Sequence, residues 1–174
     1  NLAEVFHQNY PQSRRIHACS LWELAAEWAM PSLQFQQLKL LNPLQQESVI
    51  ANAWHKAKSE LPARIVDAFQ HHAQLISSLR ATIHELRMVE MESSDIDADT
   101  FPSQDKGLLL KTVLFHYEQI LNLGAWADPA RVLVLARDRL IAEGGMPGCK
   151  IIRPENMVVQ GLFQSILDQL PGED

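Results

Sequence analysis

Apolar residues recur along most of this chain at intervals of three and four, which is the period of an amphipathic α-helix. The clearest run covers about residues 63 to 91, and its seam consists of Ile65, Phe69, His72, Ile76, Leu79, Ile83 and Leu86. This heptad-like spacing predicts one helix that packs against an antiparallel neighbour. A second run, about residues 104 to 123, carries apolar residues on several sides and predicts a central helix covered on more than one face. The predicted fold class is therefore mostly α, as a multi-helix bundle.

Capping signals predict where the first helices begin and end. Ser20 and Glu23 stand three residues apart before an apolar run, the spacing of a capping box, so a helix is predicted from Leu21 to about Met30. We expect Pro31 to stop it, because proline lacks the backbone N–H that an interior helical residue donates. Shorter helices are predicted over about residues 33–41 and 44–59.

The second half of the chain carries similar signals. Gly124 is predicted to end the central helix in the left-handed conformation. Asp128 followed by Pro129 predicts an N-cap and the first residue of a helix that runs to about Glu143. Its segment Val132–Leu135 fits either a helix or a buried strand. A final amphipathic helix is predicted over residues 154–170, and residues 15–19 and 150–153 are predicted as short extended segments.

The length and the net charge of the chain limit which functions it can have. The 174 residues fit a single domain, expected to be part of a larger protein, and the formal net charge is −6. An acidic connecting loop, residues 91–107, supplies most of this charge, with five carboxylates against one lysine. Because non-specific affinity for nucleic acid comes mainly from neutralising phosphates, the charge disfavours strong DNA binding by this chain alone.

Cysteine usage and hydropathy indicate the compartment. Cys19 and Cys149 have no companions at metal-ligand spacing, which is typical of reduced thiols in a reducing compartment. The chain has no run of about 18 apolar residues and no signal-peptide pattern at its N-terminus. We therefore expect a cytoplasmic protein without a membrane partner.

Three patterns come close to a ligand site and miss a required residue. Residues 95–99 alternate aspartates as a calcium loop does, but Thr100 replaces the glycine and Lys106 the bidentate glutamate. Residues 144–150 superficially look like a phosphate-binding loop, yet Ile151 follows the lysine where Ser or Thr is needed. His71, His72, His84 and His116, on the two central helices, lack the Glu-x-x-His spacing of helical metal sites. His72 is expected to be a hydrogen-bonded residue at the core boundary. No catalytic, cofactor-binding or metal-binding residue is predicted, so the chain alone is not expected to be an enzyme.

Two basic clusters are the candidate DNA contacts. The first consists of Lys56, Lys58 and Arg64, and the second of Arg131, Arg137 and Arg139. Such clusters form either solvated helix faces or phosphate contacts, and spacing alone leaves both open.

The helix pair in the middle of the chain resembles a known family. The resemblance rests on residues 79–87, the acidic loop, a helix with Tyr117 in its middle, Gly124 at its end, and Asp128 starting the next helix. In this order they resemble the helical insertion of superfamily I DNA helicases, closest to the B subunits of helicase–nucleases that repair double-strand breaks in bacteria. Residues 16–25 are similar to the strand and helix that precede the insertion.

This resemblance implies a non-catalytic accessory domain that packs on a motor core and can guide DNA. The parent protein would hydrolyse ATP or cut DNA, but none of the family's nucleotide-binding or nuclease residues has a counterpart here. Two alternatives stay open. A helical protein–protein interaction or regulatory module unrelated to DNA needs only the amphipathic helices and four tryptophans, and the third class is an α-helical enzyme that uses a small molecule or a metal.

Overall fold

A computed structural model describes residues 19–145 and 158–170 of the chain. In these residues the chain forms seven α-helices, two short 3-10 turns and a pair of two-residue strands. In chain order the elements are α1 Leu21–Phe35, β1 Lys39–Leu40, α2 Pro43–Ala57, α3 Ala63–Phe69, α4 Leu75–Met88, α5 Gln104–Gly124, β2 Trp126–Ala127, α6 Pro129–Glu143 and α7 Leu162–Leu167. The prediction of a mostly α, multi-helix bundle is confirmed.

The helices enclose two apolar clusters. The first lies between α2, α3, α4 and α5 and contains the fully buried side chains Ile50, Ile65, Ile83, Leu114 and Tyr117. The second lies between α1, α6 and α7 and contains Ala29, Leu33, Leu133, Leu140 and Ile166. Helix α5 packs most extensively on α2, and α1 most extensively on α6. The predicted coverage of α5 on several faces is confirmed.

A short parallel strand pair joins the two halves of the chain. Lys39 stands opposite Trp126, and Leu40 stands opposite Ala127. The backbone N–H of Lys39 donates to the carbonyl of Ala125 at 2.8 Å, and that of Leu41 donates to Ala127 at 3.0 Å. The pair therefore ties the α1–α2 connection to the α5–α6 connection.

The helix starts that local capping predicted are confirmed. Ser20 and Glu23 form the reciprocal capping box of α1. Asp128 caps α6, which begins at Pro129 and ends at Glu143 as predicted, so the Val132–Leu135 segment is helical. A further capping box, between Asn42 and Gln45, begins α2 at Pro43 and was not predicted from the sequence.

The predicted end of α1 at Pro31 is wrong, and so is the separate helix over 33–41. Helix α1 continues through Pro31 to Phe35, and the chain then turns into β1. Proline removes one backbone hydrogen bond of the helix. Because Ala29 and Leu33, on either side of it, are both buried in the second cluster, continued helix places more apolar surface against α6.

The predicted single helix over 63–91 is also wrong, because a turn at residues 70–74 divides it into α3 and α4. All five residues of this turn are exposed, including His72, which is not the boundary residue that the seam predicted. In a continuous helix Ile65 and Leu79 would lie about 21 Å apart along the axis. The turn folds the chain back so that both side chains enter the same cluster. The main neighbour of α5 is consequently α2 and not this segment.

Alanine substitutions on α4 should lower the free energy of unfolding more on its buried face than on its half-buried face. We expect Leu79→Ala to lower the free energy of unfolding by about 2–5 kcal/mol, since Leu79 is buried in the first cluster. Ile76 is only half-buried, so Ile76→Ala should cost about 1 kcal/mol. Urea unfolding of both variants measures the two losses. Equal losses would show that the packing of α4 differs from that described here.

The junction after α5 corrects a third prediction. Gly124 is the last residue of the helix, and Ala125 takes the left-handed conformation with φ +50°. Glycine is needed at position 124 for a different reason, since a Cβ there would lie 2.2 Å from Cδ1 of Trp126 and 2.3 Å from its Nε1. The indole packs directly on the backbone, and this close approach is what a side chain would prevent.

The effect of Gly124→Ala on stability should depend on residue 126, with a loss in the native chain and a gain in the Trp126→Ala background. In the native chain we expect a loss of about 1–3 kcal/mol, because the new methyl group displaces the indole. In a Trp126→Ala background the same substitution should stabilise by up to about 1 kcal/mol, because alanine is the better helix former. Urea unfolding of the four variants of this cycle gives both values. Destabilisation in both backgrounds would contradict the steric explanation.

The acidic loop is more structured than its composition predicted. It contains the 3-10 turns Ser93–Asp95 and Ala98–Thr100, and its last residues, from Gln104 on, already belong to α5. Ile96 is buried in the first cluster, and its carbonyl accepts a hydrogen bond from Nζ of Lys111 at 2.9 Å. The loop is therefore packed along α5.

Several predictions lie wholly or partly outside the described residues. The extended segment 150–153 and the residues before Cys19 are outside them, as is the start of the final predicted helix. Residues 158–160 are not helical, so the described part of that helix begins at Leu162 and not at Pro154. No helix in residues 19–145 or 158–170 combines the length and apolarity required to cross a bilayer.

Candidate functional site

A buried carboxylate connects the elements where the two clusters meet. Asp128 is 2% exposed, and its Oδ1 accepts the backbone N–H of Arg131 at 2.8 Å, which caps α6. Its Oδ2 accepts from Nε of Arg87 at 3.2 Å and from the Tyr117 hydroxyl at 3.3 Å. The carboxylate thus holds together α4, α5 and the first turn of α6.

The environment of Tyr117 keeps its hydroxyl protonated. Burial raises the pKa of Tyr117 well above its usual value, and the neighbouring Asp128 carboxylate raises it further. A raised pKa means that the folded state favours the neutral phenol. This contribution to stability is complete below about pH 10 and is lost as the pH rises above that value.

Glu118 extends this network to the acidic loop. Its carboxylate accepts from the backbone N–H of Ser93 at 3.0 Å and from the Ser93 hydroxyl at 2.6 Å. Nη1 of Arg87 lies 3.9 Å away on the other side. Because these groups are used to satisfy one another, the network is structural and offers no free acid or base.

The first predicted basic cluster is partly neutralised by an acidic residue of the chain itself. Nη2 of Arg64 lies 2.8 Å from Oδ1 of Asp105, and this contact raises the pKa of Arg64 and lowers that of Asp105. Nζ of Lys58 lies 5.8 Å from the ring centroid of Trp54. Lys56 is exposed on the last turn of α2.

The second basic cluster divides into two paired arginines and one that has no carboxylate partner in residues 19–145 and 158–170. Arg137 forms a bidentate pair with Glu90, which raises the pKa of Arg137. Arg139 pairs with Glu143 at 2.6 Å and lies 4.8 Å from the ring centroid of Trp28. Nη2 of Arg131 instead donates to the side-chain oxygen of Gln36 at 3.0 Å.

Arg131 faces a cleft of about 520 Å³ between the two halves of the chain. Its walls come from the turn after α1, from α4, α5, β2 and α6, and from the start of the acidic loop. The cleft is lined by Gln36, Leu38, Arg87, Glu92, Glu118, Leu121, Asn122, Ala125, Trp126 and Arg131. Lys39 is next to it, with Nζ 5.7 Å from the Trp126 ring centroid. Sequence reasoning named Arg131 alone, since no local spacing connects it to Gln36 or Trp126.

The acidic and histidine residues of the described chain do not form a metal site. No three His, Cys, Asp or Glu side chains of residues 19–145 and 158–170 come together as a metal-ligand set. The aspartates at 95, 97 and 99 are used instead to cap local turns and to hold Gln104. His116 is buried, with Nε2 3.0 Å from Oε1 of Glu60 but without hydrogen-bond alignment.

A group of exposed apolar side chains lies around the β1 strand. Phe35 at the end of α1 is 90% exposed, Leu44 in the first turn of α2 is 80% exposed, and Leu40 of β1 is 46% exposed. We call these three residues the α1–α2 corner. The three residues lie within ten positions of the sequence. Exposed apolar patches are typical of surfaces that contact another protein.

Comparison with known proteins identifies no relative. No family model, no curated protein and no solved structure matches the chain.

Proposed function

We propose that this chain is a non-catalytic helical accessory domain of a helicase- or nuclease-type DNA repair protein, and that it acts by packing on the motor core of that protein. The observation that carries the proposal is the α1–α2 corner, where Phe35, Leu40 and Leu44 expose apolar surface beside a strand pair. A domain that works by packing on another protein body needs such a surface and needs no reactive groups.

The residues that carry the family resemblance support the proposal because they form one physical unit. The Tyr117 hydroxyl donates to Asp128. Gly124, which lies between these two residues in the sequence, provides the space for the Trp126 indole. A Tyr, a Gly and an Asp in this order therefore have a common structural reason, which is to build the junction between α5 and α6. Such a junction suits a domain that holds a fixed position on a motor core.

The decisive experiment uses the full reading frame from which this chain comes. We expect it to encode a phosphate-binding loop upstream or a nuclease motif downstream. In the full-length protein, the double substitution Phe35→Asp, Leu44→Asp should loosen the domain and increase its cleavage by a protease. Ile141→Asp is the matched control, because Ile141 is an exposed apolar residue of α6, outside the corner. A reading frame with neither motif, or equal cleavage of both variants, would overturn the proposal.

A second candidate function is a protein interaction module unrelated to DNA. The observation that favours it is the pairing of Arg64, Arg137 and Arg139 with carboxylates of the same chain. A phosphate would have to compete with those carboxylates for each arginine. Both candidates therefore use protein contacts, and they differ in whether the parent protein acts on DNA.

Direct DNA binding by the isolated chain should be weak and sensitive to salt. We expect a dissociation constant no tighter than about 10⁻⁴ M for a short duplex, and a further loss between about 50 and 200 mM salt. Lys56→Gln, Lys58→Gln should weaken binding more than Arg137→Gln, because Arg137 is already neutralised by Glu90. Fluorescence anisotropy measures each constant. Micromolar binding that ignores salt would contradict this expectation.

A further inference from the structure

We propose that the cleft between Arg131 and Trp126 binds a short segment of a protein partner in which a carboxylate side chain lies close to a cationic one. The proposal deepens the proposed function, because it names a second surface by which the domain holds a protein. Its volume, about 520 Å³, is within the range of sites that enclose a few side chains.

The state of Arg131 is the first argument. Arg64, Arg87, Arg137 and Arg139 each lie within 4 Å of a carboxylate of the chain. Arg131 has no such partner among the described residues, although Glu92 and Glu118 line the same cleft. Gln36 holds one end of its guanidinium at 3.0 Å and leaves other N–H groups to donate. Arg131 is therefore positioned without being neutralised.

The place of Arg131 in its helix is the second argument. It is the third residue of α6 after the Asp128 cap, in the turn where the helix dipole disfavours a positive charge. Helix stability alone would favour a neutral or acidic residue there. A cation at this position is therefore better explained by a group that it binds. The side chain of Gln36, the C-cap residue of α1, holds the guanidinium in place.

The ligand that fits is a carboxylate and not a nucleic acid. Nζ of Lys39 lies over the Trp126 ring, and the edge of the ring packs on Gly124, so a base cannot stack on that face without displacing Lys39. The exposed carboxylate of Glu92 in the cleft repels a polyanion. A protein segment with one acidic and one basic side chain complements the charges of the cleft, with Arg131 and the adjacent Lys39 for the acid and Glu92 for the base.

The apolar parts of the cleft suit the stretch between those two charges. Leu38 and Leu121 line it beside the polar groups, so an apolar residue between the acid and the base would contact them. The blocked tripeptide acetyl-Glu-Leu-Lys-amide presents this chemistry and serves as the probe. Three residues form a small contact, and a dissociation constant of about 1 mM is expected.

The experiment follows the indole N–H signal of Trp126 by NMR while the tripeptide is added at low ionic strength. Trp126→Phe assigns the signal. We expect a saturable shift that Arg131→Gln weakens about tenfold, since a charge-assisted hydrogen bond is lost. Arg80→Gln is the matched control, because Arg80 is exposed on α4 and has no ion pair among the described residues. It should leave the shift unchanged.

A second pair of measurements tests the role of Glu92 and the stability of the Arg131 variant. Glu92→Gln should weaken binding of acetyl-Glu-Leu-Lys-amide but not of acetyl-Glu-Leu-Ala-amide, which lacks the cation. Arg131→Gln should not lower the thermal stability of the free domain, because it removes a positive charge from the start of a helix. A structural role for Arg131 would instead appear as a lower melting temperature.

Three results would overturn the proposal. Absence of a saturable shift at about 20 mM tripeptide would exclude the predicted affinity. Equal binding of inorganic phosphate would mean a general anion site, and tighter binding of oligothymidylate at the same residues would mean a nucleic-acid site. None of these titrations uses the parent protein, so they can fail while the experiment on the α1–α2 corner succeeds, and the reverse also holds.

Discussion

Asp128→Ala is expected to lower the free energy of unfolding by about 3–5 kcal/mol, which is the range for breaking a buried ion pair from one side. The substitution leaves the Arg87 guanidinium, whose side chain is 17% exposed, with only Glu118 at 3.9 Å. It also removes the cap of α6 and the acceptor of the Tyr117 hydroxyl. Urea unfolding followed by circular dichroism measures the loss.

Two further variants identify the cause of this loss. Asp128→Asn keeps the shape and a capping oxygen but removes the charge, so its loss should lie between zero and that of alanine. Asp138→Ala removes an exposed carboxylate of the same helix, which pairs with Arg137, and should cost below about 1 kcal/mol. Equal losses for Asp128→Ala and Asp138→Ala would contradict a central role for the buried carboxylate.

Gly161→Ala should destabilise the domain by about 3 kcal/mol or more, through strain and a backbone clash together. Gly161 has φ +59°, and a Cβ there would lie 2.4 Å from the carbonyl oxygen of Met88. The residues that follow it, Leu162 and Ile166, are buried in the second cluster. Relieving the clash therefore requires α7 to move away from α1 and α6.

Gly144→Ala is a natural control for this result. Gly144 also has a positive φ, +69°, but a Cβ there would meet no atom of the described residues within 4 Å. Its loss should be about 1–2 kcal/mol, which is the cost of the left-handed conformation alone. Urea unfolding gives both values, and hydrogen exchange at α7 should rise only in the Gly161 variant. Similar losses in both proteins would show that the contact with Met88 is unimportant.

Local signals predicted helix starts well because their physics is local. The Ser20–Glu23 capping box and the Asp128–Pro129 pair each satisfy backbone groups within one turn, so three or four residues contain the information. The errors arose where distant contacts decide. Pro31 is tolerated because its neighbours are buried against α6, and the turn at 70–74 lets α3 and α4 share one cluster.

The candidate cleft could be predicted only in part. Arg131 was named from its basic neighbours in sequence, but its contact with Gln36 spans 95 residues and no spacing rule records it. Lys39 and Trp126 come together through a two-residue strand pair that is too short to leave a periodic signal. Likewise, the need for Gly124 comes from the indole that packs on it and not from helix termination.

The pairing of the helices has a consequence for how the chain reaches this structure during synthesis. Helix α1 can pack on its main neighbour only after α6 has been synthesised. The hydrogen bond from Arg139 to the carbonyl of Trp28, for example, joins residues 111 positions apart. Helix α2 likewise meets its main neighbour only after α5 has been synthesised. Closing loops of this length is entropically costly and slow. While the ribosome is still making α5 and α6, α1 lacks its main neighbour and α2 has only α3 and α4 to pack on. Apolar surface of both helices therefore stays exposed for longer, and exposed apolar surface favours aggregation of a nascent chain.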